Sequence, residues 1–250
     1  MGGRLDGKVA VITGAAAGFG EGMADLFVAE GARVVVADLN AAGAETVAAR
    51  HGDRASAIAA DVTRQADVEA MIGRAVDRFG GLDILVNNAG YTHRNGPLAA
   101  IDEATFDRIY EVNVKAIYRA CLAALPHLKA SGAGVILNTA STAGLRPRPG
   151  LTWYNASKGW VITATKSMAV ELAPDGIRAN ALCPVAGETA MLADFMGEDT
   201  PEKRAQFVAS VPLGRLSQPL DIAQAALWLA SDEAAFITGV ALEVDGGRCV

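Results

Sequence analysis

The chain has 250 residues, 51% hydrophobic and 20% charged, a balance that supplies a core and excludes a disordered or fibrous chain. Its formal net charge is −6 and no basic run interrupts it, which argues against a nucleic-acid binder with a cationic face. The three cysteines, Cys121, Cys183 and Cys249, are far apart with no Cys-x-x-Cys or Cys/His spacing, so they read as reduced thiols of a cytoplasmic protein and point to no metal.

The opening stretch passes directly into a strand and has no apolar region of a signal peptide. Its Met-Gly start fails as a myristoylation signal because Asp6 stands where Ser or Thr is required. No apolar run reaches the roughly 18 residues of a membrane span. Val9–Thr13 and Arg33–Asp38 are continuous apolar, β-branched runs, the pattern of strands buried on both faces. ASAIAAD, LDILVNN, GVILNTAS, RANALCP and VALEVDGG follow as further strands. Helical patterns lie between them at 20–30, 41–50, 65–79, 103–128, 153–173 and 219–230. This alternation predicts one α/β domain over 1–250, a doubly wound seven-stranded parallel sheet with helices on both faces. One segment, 187–211, is longer than a plain crossover and leaves the carboxyl end of the sixth strand. Ligands bind at such strand ends, so the segment reads as a substrate loop or lid rather than a surface insertion.

The first chemical signal is TGAAAGFG at 13–20, between the first strand and the first helix. Gly14, Gly18 and Gly20 permit a tight turn, and the helix N-terminus offers free N–H groups to a pyrophosphate. Ala17 and Phe19 complete this contact set. Asp38 ends the second strand, about 20 residues further on, where a carboxylate accepts from a ribose 2′-hydroxyl and repels a 2′-phosphate. Neither Ala17 nor Leu39 supplies a cation, so NAD is favoured over NADP. Asp61 and Val62 end the third strand as an adenine contact or a plain turn. Asn87, Ala89 and Gly90, in NNAG, either turn the chain or brace the loop beside the cofactor.

Tyr154 and Lys158 are four residues apart on a predicted helix and so share a face. A free phenol has a pKa of about 10, and a nearby ammonium favours its ionised form. A tyrosine tuned in this way exchanges a proton with an alcohol or carbonyl oxygen.

TGxxxGxG, NNAG, Asn113, Ser141, Tyr154-x-x-x-Lys158 and Pro184 with Thr189, in this order and spacing, resemble the short-chain dehydrogenase/reductase family from the first strand to the last. The resemblance implies a Rossmann-like fold. It selects Ser141, 13 residues before Tyr154, as the hydroxyl that holds the substrate oxygen, ahead of Thr139 and Thr142. It implies that Lys158 bonds the nicotinamide ribose, and that Asn113 holds a water linking Lys158 to solvent. It places Pro184, Val185, Gly187 and Thr189 beside the nicotinamide, with Val185 where the family usually has glycine. A homotetramer is implied as well.

The loop between Ser141 and Tyr154 then becomes a wall of the substrate pocket. Arg146 and Arg148 in it, and Arg94 after NNAG, are candidates for binding an anionic group, or else solvated surface charges. Trp153 and Met191 are further substrate candidates; packing is the simpler role for Trp153. The expected activity is an NAD(H)-dependent interconversion of a secondary alcohol and a ketone. An NADPH-dependent 3-oxoacyl-thioester reductase is the nearby alternative, and a noncatalytic dinucleotide-binding protein the distant one.

Overall fold

Successive strand residues point to opposite sides of a sheet, so a strand apolar throughout needs cover on both. The computed structural model, which describes residues 2–250, shows that cover. β1 (Val9–Thr13), β2 (Arg33–Asp38), β3 (Ala55–Ala59), β4 (Ile84–Asn87), β5 (Val135–Thr139), β6 (Arg178–Pro184) and β7 (Ala241–Val244) form one parallel sheet. Its order is β3-β2-β1-β4-β5-β6-β7. The order reverses between β1 and β4, and at such a switch point a crevice opens at the strands' carboxyl ends.

The helices are α1 (Gly18–Ala29), α2 (Ala41–Ala49), α3 (Gln65–Phe79), α4 (Glu103–Tyr110), α5 (Ala116–Ser131), α6 (Thr152–Leu172), α7 (Leu192–Met196), α8 (Pro201–Ala209) and α9 (Pro219–Ala230). Strand alternation sorts the cores. Ala10, Ile12, Val34 and Val36 pack with Met23 and Phe27 of α1 and Ile222 and Leu227 of α9. Val9, Val11, Val35 and Ala37 pack the other way, with Met71 and Ile72 of α3 and Ala124 of α5. No helix among the described residues is long and apolar enough to cross a membrane.

Two stretches depart from the sequence reading. The helical run expected at 103–128 is broken by a π-helical stretch, Glu111–Lys115. It carries the buried Asn113, whose amide accepts from Tyr91 N (2.8 Å) and donates to Tyr91 O (2.9 Å). Apolar periodicity continues through such a bulge and does not reveal it. The segment 187–211 is not a plain loop, since it folds into α7 and α8. Thr200 caps α8 and Pro201 starts it. Leu192, Met196 and Leu216 form a small cluster with Phe207 and Val208, separate from the two main cores.

Candidate active site

The crevice is a cleft of about 260 Å³ whose walls come from the carboxyl ends of β1, β4, β5 and β6. On one side lies the turn after β1. Gly14 and Gly18 adopt left-handed φ values of 64° and 59°. A Cβ on Gly20 would lie 2.1 Å from Gly14 O, so only glycine lets α1 approach the turn this closely. No side chain caps α1 at Ala17, which leaves its first N–H groups for a ligand. Thr13, to which the motif reading gave no role, and Asn88, one of the two amides of NNAG, lock the turn. Thr13 Oγ1 accepts from Asn88 N and Ala89 N, both at 3.0 Å. Asn88 Nδ2 donates to Thr13 O (2.9 Å) and Gly14 O (3.1 Å). The backbone amides and glycine cradle fit a dinucleotide pyrophosphate.

Ser141, Tyr154 and Lys158 meet on the opposite wall. Gly144 makes this possible: a Cβ there would lie 2.7 Å from the Lys158 carbonyl carbon, so the one-turn helix Thr142–Gly144 presses directly on α6. Lys158 is buried and donates from Nζ to Thr139 O at 2.7 Å. Its Nζ lies 5.7 Å from the Tyr154 ring centre. Phe195 of α7 tilts against the same ring at 5.2 Å. Burial pushes the Tyr154 phenol up to about 12, opposed by the Ser141 hydroxyl. Burial also takes the Lys158 ammonium down to about 8. Any lowering of the phenol by the Lys158 ammonium and the nicotinamide ring of NAD+ therefore has to work against this desolvation.

Gly14, Ala17, Gly18, Phe19, Ala89, Gly90, Pro184, Val185, Gly187 and Thr189 line the same cleft. Val185 takes the usual glycine place without positive φ, because its N–H simply continues the ladder to Val244 O. Other expected residues lie elsewhere. Asn87 is buried and donates to Asn138 Oδ1 (2.8 Å), joining β4 to β5 and bracing the interior. The Asn113 amide bonds Tyr91 and Ser157 Oγ (3.0 Å) and braces the chain after NNAG against α6. Asp61 closes its own turn, accepting from Thr63 N (2.9 Å) and Thr63 Oγ1 (2.7 Å), and neither it nor Val62 reaches the cleft. Asp38 sits on the rim beside exposed Leu39 and accepts from Ala16 N (2.9 Å) and Asn40 N (2.8 Å). Those two amides fix its carboxylate against the glycine turn.

The substrate candidates divide. Arg94 is outside the cleft, where it donates to Gly197 O. Trp153 also lies outside it, edge-on to Phe106 of α4 at 5.2 Å. Arg146, Arg148 and Met191 line it. Phe195 joins them, from the apolar Met191–Met196 stretch of the long segment that reads as a cover over the substrate; so do Leu151, Asn155 and Phe207, which no sequence pattern marks. Asn155 Nδ2 donates to Arg148 O (2.8 Å), while its buried Oδ1 has no protein partner.

A parallel doubly wound sheet with an amide-lined turn facing Ser141 and the buried Tyr154 and Lys158 defines a dinucleotide-dependent oxidoreductase class. Residues 14–248 match a family model described as enoyl-(acyl carrier protein) reductase. The 4-formylbenzenesulfonate dehydrogenase of Comamonas testosteroni is 51% identical over 248 residues, 98% of each chain. The 2-(R)-hydroxypropyl-CoM dehydrogenase of Xanthobacter autotrophicus is 41% identical over 96% of this chain and 97% of its own. A crystal structure of 3-ketoacyl-(acyl-carrier-protein) reductase from Brucella melitensis, complexed with NADH, superposes with a TM-score of 0.94. It is 51% identical and covers 98% of this chain and 100% of its own. The chain belongs to the short-chain dehydrogenase/reductase family.

Proposed function

We propose that the protein is an NAD(H)-dependent oxidoreductase that interconverts a secondary alcohol and a ketone. The observation that carries this reading is the shared cleft: Tyr154, Ser141 and Lys158 on one wall, the glycine turn on the other. NAD, when bound, supplies the hydride acceptor or donor. Ser141 holds the substrate oxygen by a hydrogen bond placed for developing charge. Tyr154, protonated because it is buried, gives its proton to that oxygen during reduction. In oxidation the phenol oxygen must take a proton, and the Lys158 ammonium, charged below about pH 8, favours the phenolate. Thr139 O keeps that ammonium beside the ring.

Asp38 supports NAD over NADP, since its carboxylate repels a 2′-phosphate and neither Ala17 nor Leu39 supplies a cation to hold one. The segment 187–211 serves as a lid over the substrate, supported by Met191 and Phe195 in the cleft wall. A cytoplasmic homotetramer is part of the reading. It is supported by exposed Tyr118 and Leu122 on α5, Trp160 and Val170 on α6, and Phe236 ahead of β7. The second reading, a 3-oxoacyl-thioester reductase, draws support from the description of the Brucella structure. Comparing KM for NADH and NADPH and testing a 3-oxoacyl thioester separate the two.

The test of the main reading is Tyr154→Phe, followed by NADH absorbance on an alcohol and ketone panel. Turnover should fall well below a tenth of wild type while NADH still binds. Turnover above that level contradicts the proton role.

A further inference from the structure

The wall opposite the glycine turn carries an excess of positive charge in a protein whose net charge is −6. Arg146 and Arg148 leave the loop between Ser141 and Tyr154, and Arg248 arrives from the turn after β7. Among the described residues, no side-chain carboxylate forms an ion pair with any of the three. Arg146 donates only to main-chain oxygens, those of Arg248 (2.8 Å) and Val250 (2.9 Å). Arg148 is half-buried, and its guanidinium stacks 4.5 Å over the Phe207 ring and donates to Ser210 Oγ at 2.8 Å. Burial lowers the pKa of Arg148, and the neighbouring Arg248 and Arg146 charges lower it further. A guanidinium has five N–H donors, so one recorded bond leaves most of its fork free. Desolvating a cation among like charges is costly unless an anion completes the site.

The placement within the cleft decides what that anion belongs to. Arg148 and Phe207 line the same cavity as Ser141 and Tyr154. Leu151, Val185, Met191 and Phe195 make the rest of this side apolar. A ligand that satisfies both ends therefore has a reacting oxygen at one end, an apolar body, and a negative charge at the other.

We propose that Arg148, assisted by the charges of Arg146 and Arg248, binds a carboxylate or sulfonate on the substrate, so that the enzyme acts on anionic alcohols and oxo compounds. This rests on the oxidoreductase reading above. The planar fork, held over the Phe207 ring, suits a bidentate contact to an oxyanion. Ser210 and Phe207 both lie in the lid segment, so the same arginine that takes the anion also meets the lid.

The experiment compares a para-carboxylated aryl alcohol, its sulfonate counterpart and the uncharged para-methyl analogue. In wild type, kcat/KM should favour at least one anionic member over the neutral one by about tenfold or more. Arg148→Gln should collapse that ratio, chiefly through KM. Arg148→Lys should restore part of it, because charge returns without the fork. Ser210→Ala, which removes the tie to the lid but not the charge, should keep the ratio. In parallel, calorimetry follows para-toluate, an unreactive anion, binding to the enzyme–NADH complex; Arg148→Gln should weaken it about tenfold. If no alcohol is turned over, the oxidoreductase reading fails, yet toluate binding still decides the anion site. Should Arg148→Gln not fold, Arg146→Gln replaces it and should lower the same ratio and the toluate affinity by a smaller factor. A wild-type ratio near one, an unchanged ratio in the variant used, or no toluate binding would overturn the proposal.

Discussion

The two walls of the cleft are built differently. The dinucleotide wall is a backbone construction. Its shape comes from φ values at Gly14 and Gly18, a helix pressed against a turn at Gly20, and short bonds from Thr13 and Asn88. It grows out of β1 and α1, which belong to a main core containing Met23 and Phe27, both fully buried. The opposite wall, proposed to hold the substrate, is a side-chain construction. It combines the loop between Ser141 and Tyr154, the helices α7 and α8, and the C-terminal turn, held by a small satellite cluster around Leu192 and Met196. The contrast teaches where this molecule is free to vary. A wall made of backbone tolerates almost no change, whereas long side chains on a lightly anchored segment can be exchanged to suit another substrate.

The sharpest way to break this comparison is to remove packing from each side in turn. Phe27→Ala should cost about 3–5 kcal/mol, because it empties a fully buried site in the main core. Leu192→Ala should cost about 2 kcal/mol, the low end for such a truncation, and should raise KM for the alcohol more than it lowers kcat. Chemical denaturation and steady-state kinetics of the pair measure this. Equal stability losses would mean that the segment 187–211 is as firmly anchored as the sheet.

Next in size is Gly20→Ala. The added Cβ meets backbone at 2.1 Å, so α1 must shift away from the turn. NADH affinity should fall about 100-fold, a change of about 2.7 kcal/mol. Fluorescence titration reads it, and near-normal affinity would show that the turn is softer than its contacts indicate.

The smallest effect belongs to the rim, where the backbone wall ends in a side chain. Asp38→Ala combined with Leu39→Arg removes the carboxylate proposed to repel a 2′-phosphate and adds a cation at an exposed position. The ratio of kcat/KM for NADPH over NADH should rise about tenfold. An unchanged ratio would remove Asp38 from the cofactor contact.

How much was legible follows the same division. The glycine turn was readable because its geometry demands a residue without Cβ, and that demand shows as Gly14, Gly18 and Gly20 at set places after an apolar strand. Asn87 and Asn113 were readable as important but not as to role. A carboxamide that braces two main-chain groups and one that touches a ligand look alike in sequence, and only the bonds to Asn138, Tyr91 and Ser157 tell them apart. Asn155 and Phe207 carried no signal, because no periodicity or spacing marks a residue whose partners lie far along the chain.

The Tyr154–Lys158 pair marks the boundary most clearly. Its spacing placed both groups on one helical face, but the sign of the net effect on the phenol depended on burial.

The sequence by itself determined the parallel sheet, the order of its elements and the dinucleotide turn, because each follows from local periodicity and from the sterics of glycine and β-branched residues. Only the tertiary structure decided which arginines reach the cleft, what caps it and how its tyrosine is held. Those depend on distances between residues up to 104 positions apart, as between Arg146 and Val250, and on how much water the assembled walls exclude.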